Sequence, residues 1–456
     1  MGYVYRHSSR PMIQLLTRLQ PHLGFPYSFG VFQDYYSTHP PFSSSSNLAV
    51  IGTCSMGIMY LDIPLIMAFF RRFPRFARWS PILGLLVMCF ALAISSFSKT
   101  VTHLIITQGI FYGVGGSIAY SPCIVYLDEW FVKKKGLAYG IMWSGTGLAG
   151  VVLPPLLEHF LSEYGYQTTL RIWAVAVFVL TAPLAWFLKP RIRVSVGGTA
   201  AAASGREATS NSTTSGTTTP NATSNIDILA TPPTPTPTPY TPSLSFVLTR
   251  PFLFYQLFNI IEALGFFLPG IYLPSYARSV LQAQGFLTSL TLLLLNVASV
   301  FGCVAMGWFI DRLDVTTCIM LSTAGTVLGT FFLWGFGTNL AVLYVFCVVY
   351  GFFAGSFTSA WPGIMREVAK LGGGADSNEH GSKPVDPTMV FAFLALGRGV
   401  GNVVSGPLSE ALIKGLPWQG RALAGYGSGY GGLIAFTGVT ALVGGGSFLW
   451  KRLGWL

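Results

Sequence analysis

Charge is what this sequence has least of: Asp, Glu, Lys and Arg together make up 9% of its 456 residues, where soluble domains carry about 25%. So few charged groups cannot cover a core of this size, which excludes a water-soluble globule. Cysteine is scarce and unpatterned. The six (Cys54, Cys89, Cys123, Cys303, Cys318 and Cys347) all fall inside apolar stretches with no CxxC or other ligand spacing, so neither a disulfide framework nor a metal site is expected. The six histidines show no paired spacing, and His103, opening an apolar run, reads as an interface residue rather than a proton carrier. No set of nucleophile, base and oxyanion donors is visible, which makes an enzyme the least favoured class and calls for no cofactor.

What is present is apolar: 52% of the residues are hydrophobic and 35 are Phe. Runs of about 20 apolar residues, each able to cross a ~30 Å hydrocarbon core, recur too often for a signal peptide. Spans are expected over 47–70, 81–97, 103–127, 136–160 and 172–188, then over 251–275, 287–310, 315–336, 340–365, 387–411 and 429–450. The first span is the weak one. Residues 11–31 carry Pro11, Arg18, Pro21, His22 and Pro26 where it should lie. Between the two groups, residues 195–245 are Ser, Thr, Ala and Pro, ending in TPPTPTPTPYTPS, a composition expected to be disordered or extended. The expected architecture is an all-α polytopic membrane protein of six plus six helices: a first half over 1–189 with an atypical first helix, a linker over 190–249, and a second half over 250–456.

The formal net charge of +11 does not point to nucleic acid, because the basic residues sit at the ends of apolar runs rather than on one polar face. Their placement is topological. Arg71, Arg72, Arg75, Arg78, Lys133, Lys134, Lys135, Lys189, Arg312, Arg366, Lys370, Lys451 and others share one side, against Lys99, Arg171, Arg278, Lys414 and Arg421 on the other. By the positive-inside rule the linker and both chain ends are cytoplasmic. Asn211 and Asn221 match glycosylation sequons but would then face the cytosol unmodified.

The two groups are related. GTGLAGVVLPPLLE (145–158) aligns without a gap on GRGVGNVVSGPLSE (397–410), sharing Gly145/Gly397, Gly147/Gly399, Val151/Val403, Val152/Val404, Pro155/Pro407, Leu156/Leu408 and Glu158/Glu410. YGVGGSIAYSP (112–122) resembles YGFFAGSFTSAWP (350–362) in the same order and spacing, if short insertions are allowed. Parallel repeats suggest a transporter whose substrate site lies between the halves near the bilayer midplane. Where the first half has Thr146, the second has Arg398, the one Lys or Arg deep in a span. Burying it there costs at least ~2.5–3.5 kcal/mol, so something must offset it.

The segments SFGVFQDYY (29–36, with Ser28 preceding), YLDEWFVKKKGLAYGIMWSGTG (126–147), YGYQTTLRIWAV (164–175), GFFLPGIYLPSYA (265–277) and NVASVFG (296–302) resemble the fungal monocarboxylate-porter-like branch of the major facilitator superfamily. GWFID followed by Arg312 fits the superfamily's G-x-x-x-D-R loop. The resemblance implies a proton-linked carrier of small organic acids. It also places Asp311 and Arg312 in a cytoplasmic latch and the second helix beside the eleventh. The chain departs from that branch at Cys303 and Ser299, where the family often has a basic or polar residue and animal members an acid, and upstream of Tyr27, where a truncated or altered first helix is expected.

Arg398 is therefore the expected carboxylate anchor, its forked donors suited to two parallel hydrogen bonds. Asp62, about 12 Å up the second helix against about 16 Å for Arg398 on the eleventh, is its expected partner across the halves, as gate, substrate-competed pair or structural bridge. Asp62 or Glu262 carries the proton. Tyr120, Trp143, Phe267, Tyr272 and Trp361 lie beside proline or glycine breaks and are candidate cavity walls, although any one of them could be simple packing. The glycines at 136, 140, 145, 147 and 150 read as close-packing surfaces. The resulting expectation is a proton-coupled symporter of a small monocarboxylate in the plasma membrane, its partners the bilayer, the organic acid and a proton. Its rivals are a transporter or exporter of a larger, less charged metabolite, and a non-transporting sensor or defective paralogue.

Overall fold

A computed structural model describes residues 24–43, 45–131, 134–186, 244–372 and 385–454. The irregular start of the first span, most of the 190–249 linker and both sequons lie outside those residues.

Twelve helical spans follow one another in chain order. They are α1 (Phe29–Thr38), α2 (Leu48–Arg72), α3 (Ser80–Ser95) and α4 (Val101–Asp128), then α5 and α6 within Lys135–Trp186, and α7 (Arg250–Ser279). The rest are α8 (Phe286–Ile310), α9 (Val315–Trp334), α10 (Leu340–Lys370), α11 (Pro387–Ile413) and α12 (Gly431–Arg452). Gly165 divides α5 from α6: its φ of 72° lies in the left-handed region that glycine enters without a Cβ penalty, so the chain can reverse there. The first helix, obscured in the sequence by proline and histidine, is regular from Phe29 and buries Phe29, Phe32 and Tyr36.

Proline marks breaks only where the helix register allows them. Leu268-Pro269 starts a new segment after Phe267, and Pro362 follows a 3-10 turn over Phe357–Ala360. Pro122, Pro154 and Pro155, which the sequence also offers as bends, lie inside continuous helix. A break not expected from the sequence occurs in α2 at Asp62, where Pro64 takes an early position of the following segment and needs no N–H partner.

The first six helices meet the second six along two antiparallel seams built from glycine. On one, α5 lies along α8: a Cβ at Gly140 would meet the Cys303 carbonyl and come 2.9 Å from Gly307 Cα, and one at Gly147 would come 2.9 Å from Val300. On the other, α2 lies along α11: a Cβ at Gly399 would come 2.6 Å from the Leu61 nitrogen and 2.7 Å from the Gly57 carbonyl. Gly147 and Gly399 are twin positions of the internal repeat. Each therefore opens its own helix to the opposite set, and backbones can approach because nothing projects.

Candidate functional site

Both seams end, at the Arg-rich loops, in charged contacts. Asp311, following α8, accepts hydrogen bonds from the backbone N–H groups of Gly136 and Leu137, each 2.9 Å, and so caps the exposed donors at the start of α5. Arg366 stands 3.8 Å from the same carboxylate. Arg312, expected in this latch, turns away instead and stacks over Trp308, 3.7 Å from the ring centroid. Its place is an aromatic surface, because the backbone amides already fill the Asp311 oxygens. At the other seam Arg71, ending α2, pairs with Asp386 and donates 2.7 Å to Thr388, while Asp386 caps α11 through the Thr388 N–H at 2.8 Å. In the sequence Arg71 reads only as a topological charge.

At the opposite end Arg278 pairs with Asp34 at 2.6 Å, and Glu410 accepts the Asn47 backbone N–H. Between those contacts lies a vestibule of about 600 Å³, whose lining includes Gln33, Asn47, Tyr272, Glu410 and Lys414. Tyr272 bonds Ser409 at 3.1 Å here. It belongs to the vestibule rather than to the central wall predicted for it, since it stands ten residues beyond Glu262 on α7.

The centre is built on α7 and α11, which rise side by side from the basic end. Three side chains spaced three apart on α7 tie it to α11: Gln256 donates to the Phe393 carbonyl and Asn259 to the Leu394 carbonyl, both at 2.7 Å. The third, Glu262, accepts from Arg398 Nη1 at 2.6 Å. Arg398 is thus paired with Glu262 on a neighbouring helix of its own set, not with Asp62 across the seam. The register explains the difference: Glu262 and Arg398 stand each about eleven residues, ~16 Å, from the same end, whereas Asp62 sits about a turn lower. The Arg398 side chain is 1% exposed. Its guanidinium lies 4.2 Å from the Phe266 centroid and 5.8 Å from Phe357, contacts worth roughly 0.5–2 kcal/mol each. Gly444 on α12 closes over Glu262, since a Cβ there would come 2.7 Å from the Glu262 Cβ.

Asp62 makes its own arrangement at the α2 break, where Oδ2 accepts from Ser117 of α4 at 2.7 Å and Oδ1 has no partner among the described residues. Above it an aromatic cluster joins the two sets. Trp143 lies 6.1 Å from Tyr120, 6.2 Å from Tyr60 and 6.1 Å from Trp361, which in turn lies 5.1 Å from Phe391. All five are buried. Phe267 meets Tyr27 edge-on at 5.8 Å, and Tyr27 and Tyr60 stand within the field of Arg398. Tyr120, Trp143 and Trp361 are therefore brought together as predicted walls. Tyr27, Tyr60 and Asn402 complete the surroundings and escaped the sequence reading, although Tyr60 is two residues from Asp62 and Asn402 one turn from Arg398. Of the side chains around the centre, those that can hold or move a proton are Asp62 and Glu262, and those that can donate to a solute are Arg398, Asn402, Trp143 and Trp361.

Comparison with known proteins agrees with this arrangement. The family model of the Major Facilitator Superfamily matches residues 24–375, more than half of the chain. The chain is 23% identical over 435 residues to the Fujikurins efflux protein of Gibberella fujikuroi, covering 94% of this chain and 79% of that one. It is 27% identical over 441 residues to the Agnestins efflux protein of Paecilomyces divaricatus, covering 94% and 84%. It is 24% identical over 439 residues to the MFS transporter asaE of Aspergillus flavus, covering 93% and 82%. Among solved structures, a mutant of the nucleoside transporter NupG superposes with a TM-score of 0.62 at 11% identity, over 96% of this chain and 99% of that one, a likeness of fold.

Proposed function

The chain belongs to the Major Facilitator Superfamily, and on that premise we propose that this membrane transporter exports a metabolite larger and less charged than a small monocarboxylate. The observation that carries the reading is the ion pair at the centre. Arg398, the one deep cation, already has its charge met by Glu262 at 2.6 Å. A carboxylate entering beside it would place two negative groups on one guanidinium in a poorly hydrated interior, where like charges repel strongly. The aromatic walls from Tyr60 to Phe391 supply more apolar surface than a short acid can use. Two of the relatives are named for the efflux of fujikurins and agnestins, which supports the same direction.

Under this proposal the two six-helix sets rock about their glycine seams, exposing the centre alternately to either side. The Arg-rich loops face the cytoplasm, as do both chain ends, and the plasma membrane is the working location. Asp62 and Glu262 are the proton carriers. Proton-driven export then has protons entering as solute leaves.

The test is transport into inside-out vesicles containing the full chain, offered extract from the producing cells and, separately, labelled small monocarboxylates, with and without a proton gradient. Gradient-dependent accumulation of larger metabolites, with the short acids ignored, is the expected result. Gradient-driven movement of the short acids alone, lost in Arg398→Gln, would reinstate monocarboxylate symport.

A further inference from the structure

The central chamber has more hydrogen-bond donors than it has acceptors for them. Five buried donors have no partner among the described residues: Arg398 Nε, Arg398 Nη2, Asn402 Nδ2, Trp143 Nε1 and Trp361 Nε1. Asn402 Oδ1 is an unpartnered acceptor, and Asn402 is 0% exposed. Buried polar groups of this kind are costly when unmet. Asn402 lies four residues beyond Arg398 on α11, one turn along the same face, so the amide and the free edge of the guanidinium form a short polar row. The rest of the surroundings is flat and apolar: Phe266 and Phe357 beside Arg398, and the rings of Tyr60, Trp143 and Trp361.

From this imbalance we infer the class of solute: an uncharged, planar, conjugated molecule rich in carbonyl oxygens, with a hydroxyl or amide hydrogen beside at least one of them. Carbonyl oxygens take the donors of Arg398 and the indole N–H groups. The neighbouring donor and acceptor pair with the Asn402 carboxamide, which can read both at once. The ring system lies against the aromatic walls, where offset and edge-on contacts are favoured. Asn402 is the specificity-determining residue, because it alone in the row offers an acceptor as well as a donor. Neutrality follows from the Glu262–Arg398 pair, which leaves no cation to spare. This inference rests on the proposed export of a larger, less charged metabolite and names the class to which that metabolite belongs.

The test uses the purified full chain in detergent and saturable quenching of its tryptophan fluorescence, referenced to Trp143→Phe, which removes one of the responding rings. Three probes of equal ring count separate the possibilities: chrysazin, a neutral dihydroxyanthraquinone; anthracene carboxylate; and anthracene. Chrysazin is expected to bind most tightly, and Asn402→Leu to weaken it roughly tenfold, the loss of about one buried hydrogen bond, with anthracene unaffected. Asn402→Ser, smaller and still polar, serves if the leucine variant fails to fold, with the same direction of effect. Tighter binding of the carboxylate than of chrysazin, or undiminished chrysazin binding in both variants, overturns the inference. If no probe binds while vesicles still accumulate extract metabolites, the solute class is wrong and export stands. If the vesicles are also inactive, both fall.

Discussion

Arg398 and Glu262 each make the other tolerable. With both side chains buried, removing either strands a charge in an interior that cannot hydrate it, a change that costs about 3–5 kcal/mol, whereas replacing both by apolar groups of similar volume is often neutral. Glu262→Gln and Arg398→Gln are therefore each expected to lower the melting temperature of the purified protein, and Glu262→Leu combined with Arg398→Met to recover most of the loss. Vesicles carrying the double variant should nonetheless be inactive, because the donors of Arg398 are gone. A double variant as unstable as the singles would show that the pair is not what holds α7 to α11. Asp62 calls for a different experiment. Asp62→Asn keeps an oxygen for the Ser117 hydrogen bond but cannot carry a proton, so exchange of solute at equal pH should persist while gradient-driven accumulation disappears. Unchanged accumulation would remove Asp62 from the proton path.

At the scale of the helix, the seams turn on positions where a side chain has no room. Gly140→Leu drives a side chain into the α8 backbone and Gly399→Leu into that of α2, overpacking that typically costs about 1–3 kcal/mol. Gly270→Ala meets nothing within 4 Å of its new Cβ and is expected to melt as the native chain does, which makes it the internal control. Equal melting for all three would mean the seams are looser than their geometry. These seams were legible in advance, because the matched glycines of GTGLAG and GRGVGN recur at helical spacing whatever the helices touch. The partner of Arg398 was legible only in part. Its depth can be counted from the basic end, and Glu262 stands at the same count, but Asp62 competes at a similar height, and helix rotation is not written in residue spacing. The ladder Gln256, Asn259, Glu262 carries that rotation, and its meaning emerges only once α7 is known to lie against α11. The aromatic walls divided for a related reason: Trp143 and Trp361 sit at matching heights on α5 and α10, whereas Tyr272 is carried up to the vestibule by the length of α7.

In the molecule as a whole, contacts between the two sets occur at both ends, through Asp311 and Arg71 at one and through Asp34 and Glu410 at the other. Moving the sets apart at one end must break the contacts there while the other end holds. Asp311→Ala frees two backbone donors at the start of α5 and should favour opening at the basic end. Cys303, 2% exposed on the α8 face that meets Gly140, reports on it: with the other five cysteines replaced by Ser, its rate of maleimide modification should rise in Asp311→Ala. An unchanged rate would assign the latch to Arg71 and Asp386 instead.

Because Arg398 and Glu262 ride on neighbouring helices of one set, they move together as a single rigid dipole and keep their separation throughout the cycle. Membrane voltage acts on a unit charge with about 2.3 kcal/mol per 100 mV, but on a pair displaced as one body its two contributions cancel. The resting cell potential thus has no lever on the binding centre. Any current recorded from these vesicles would count coupled ions directly, one elementary charge for each, with no background from the protein's own gating.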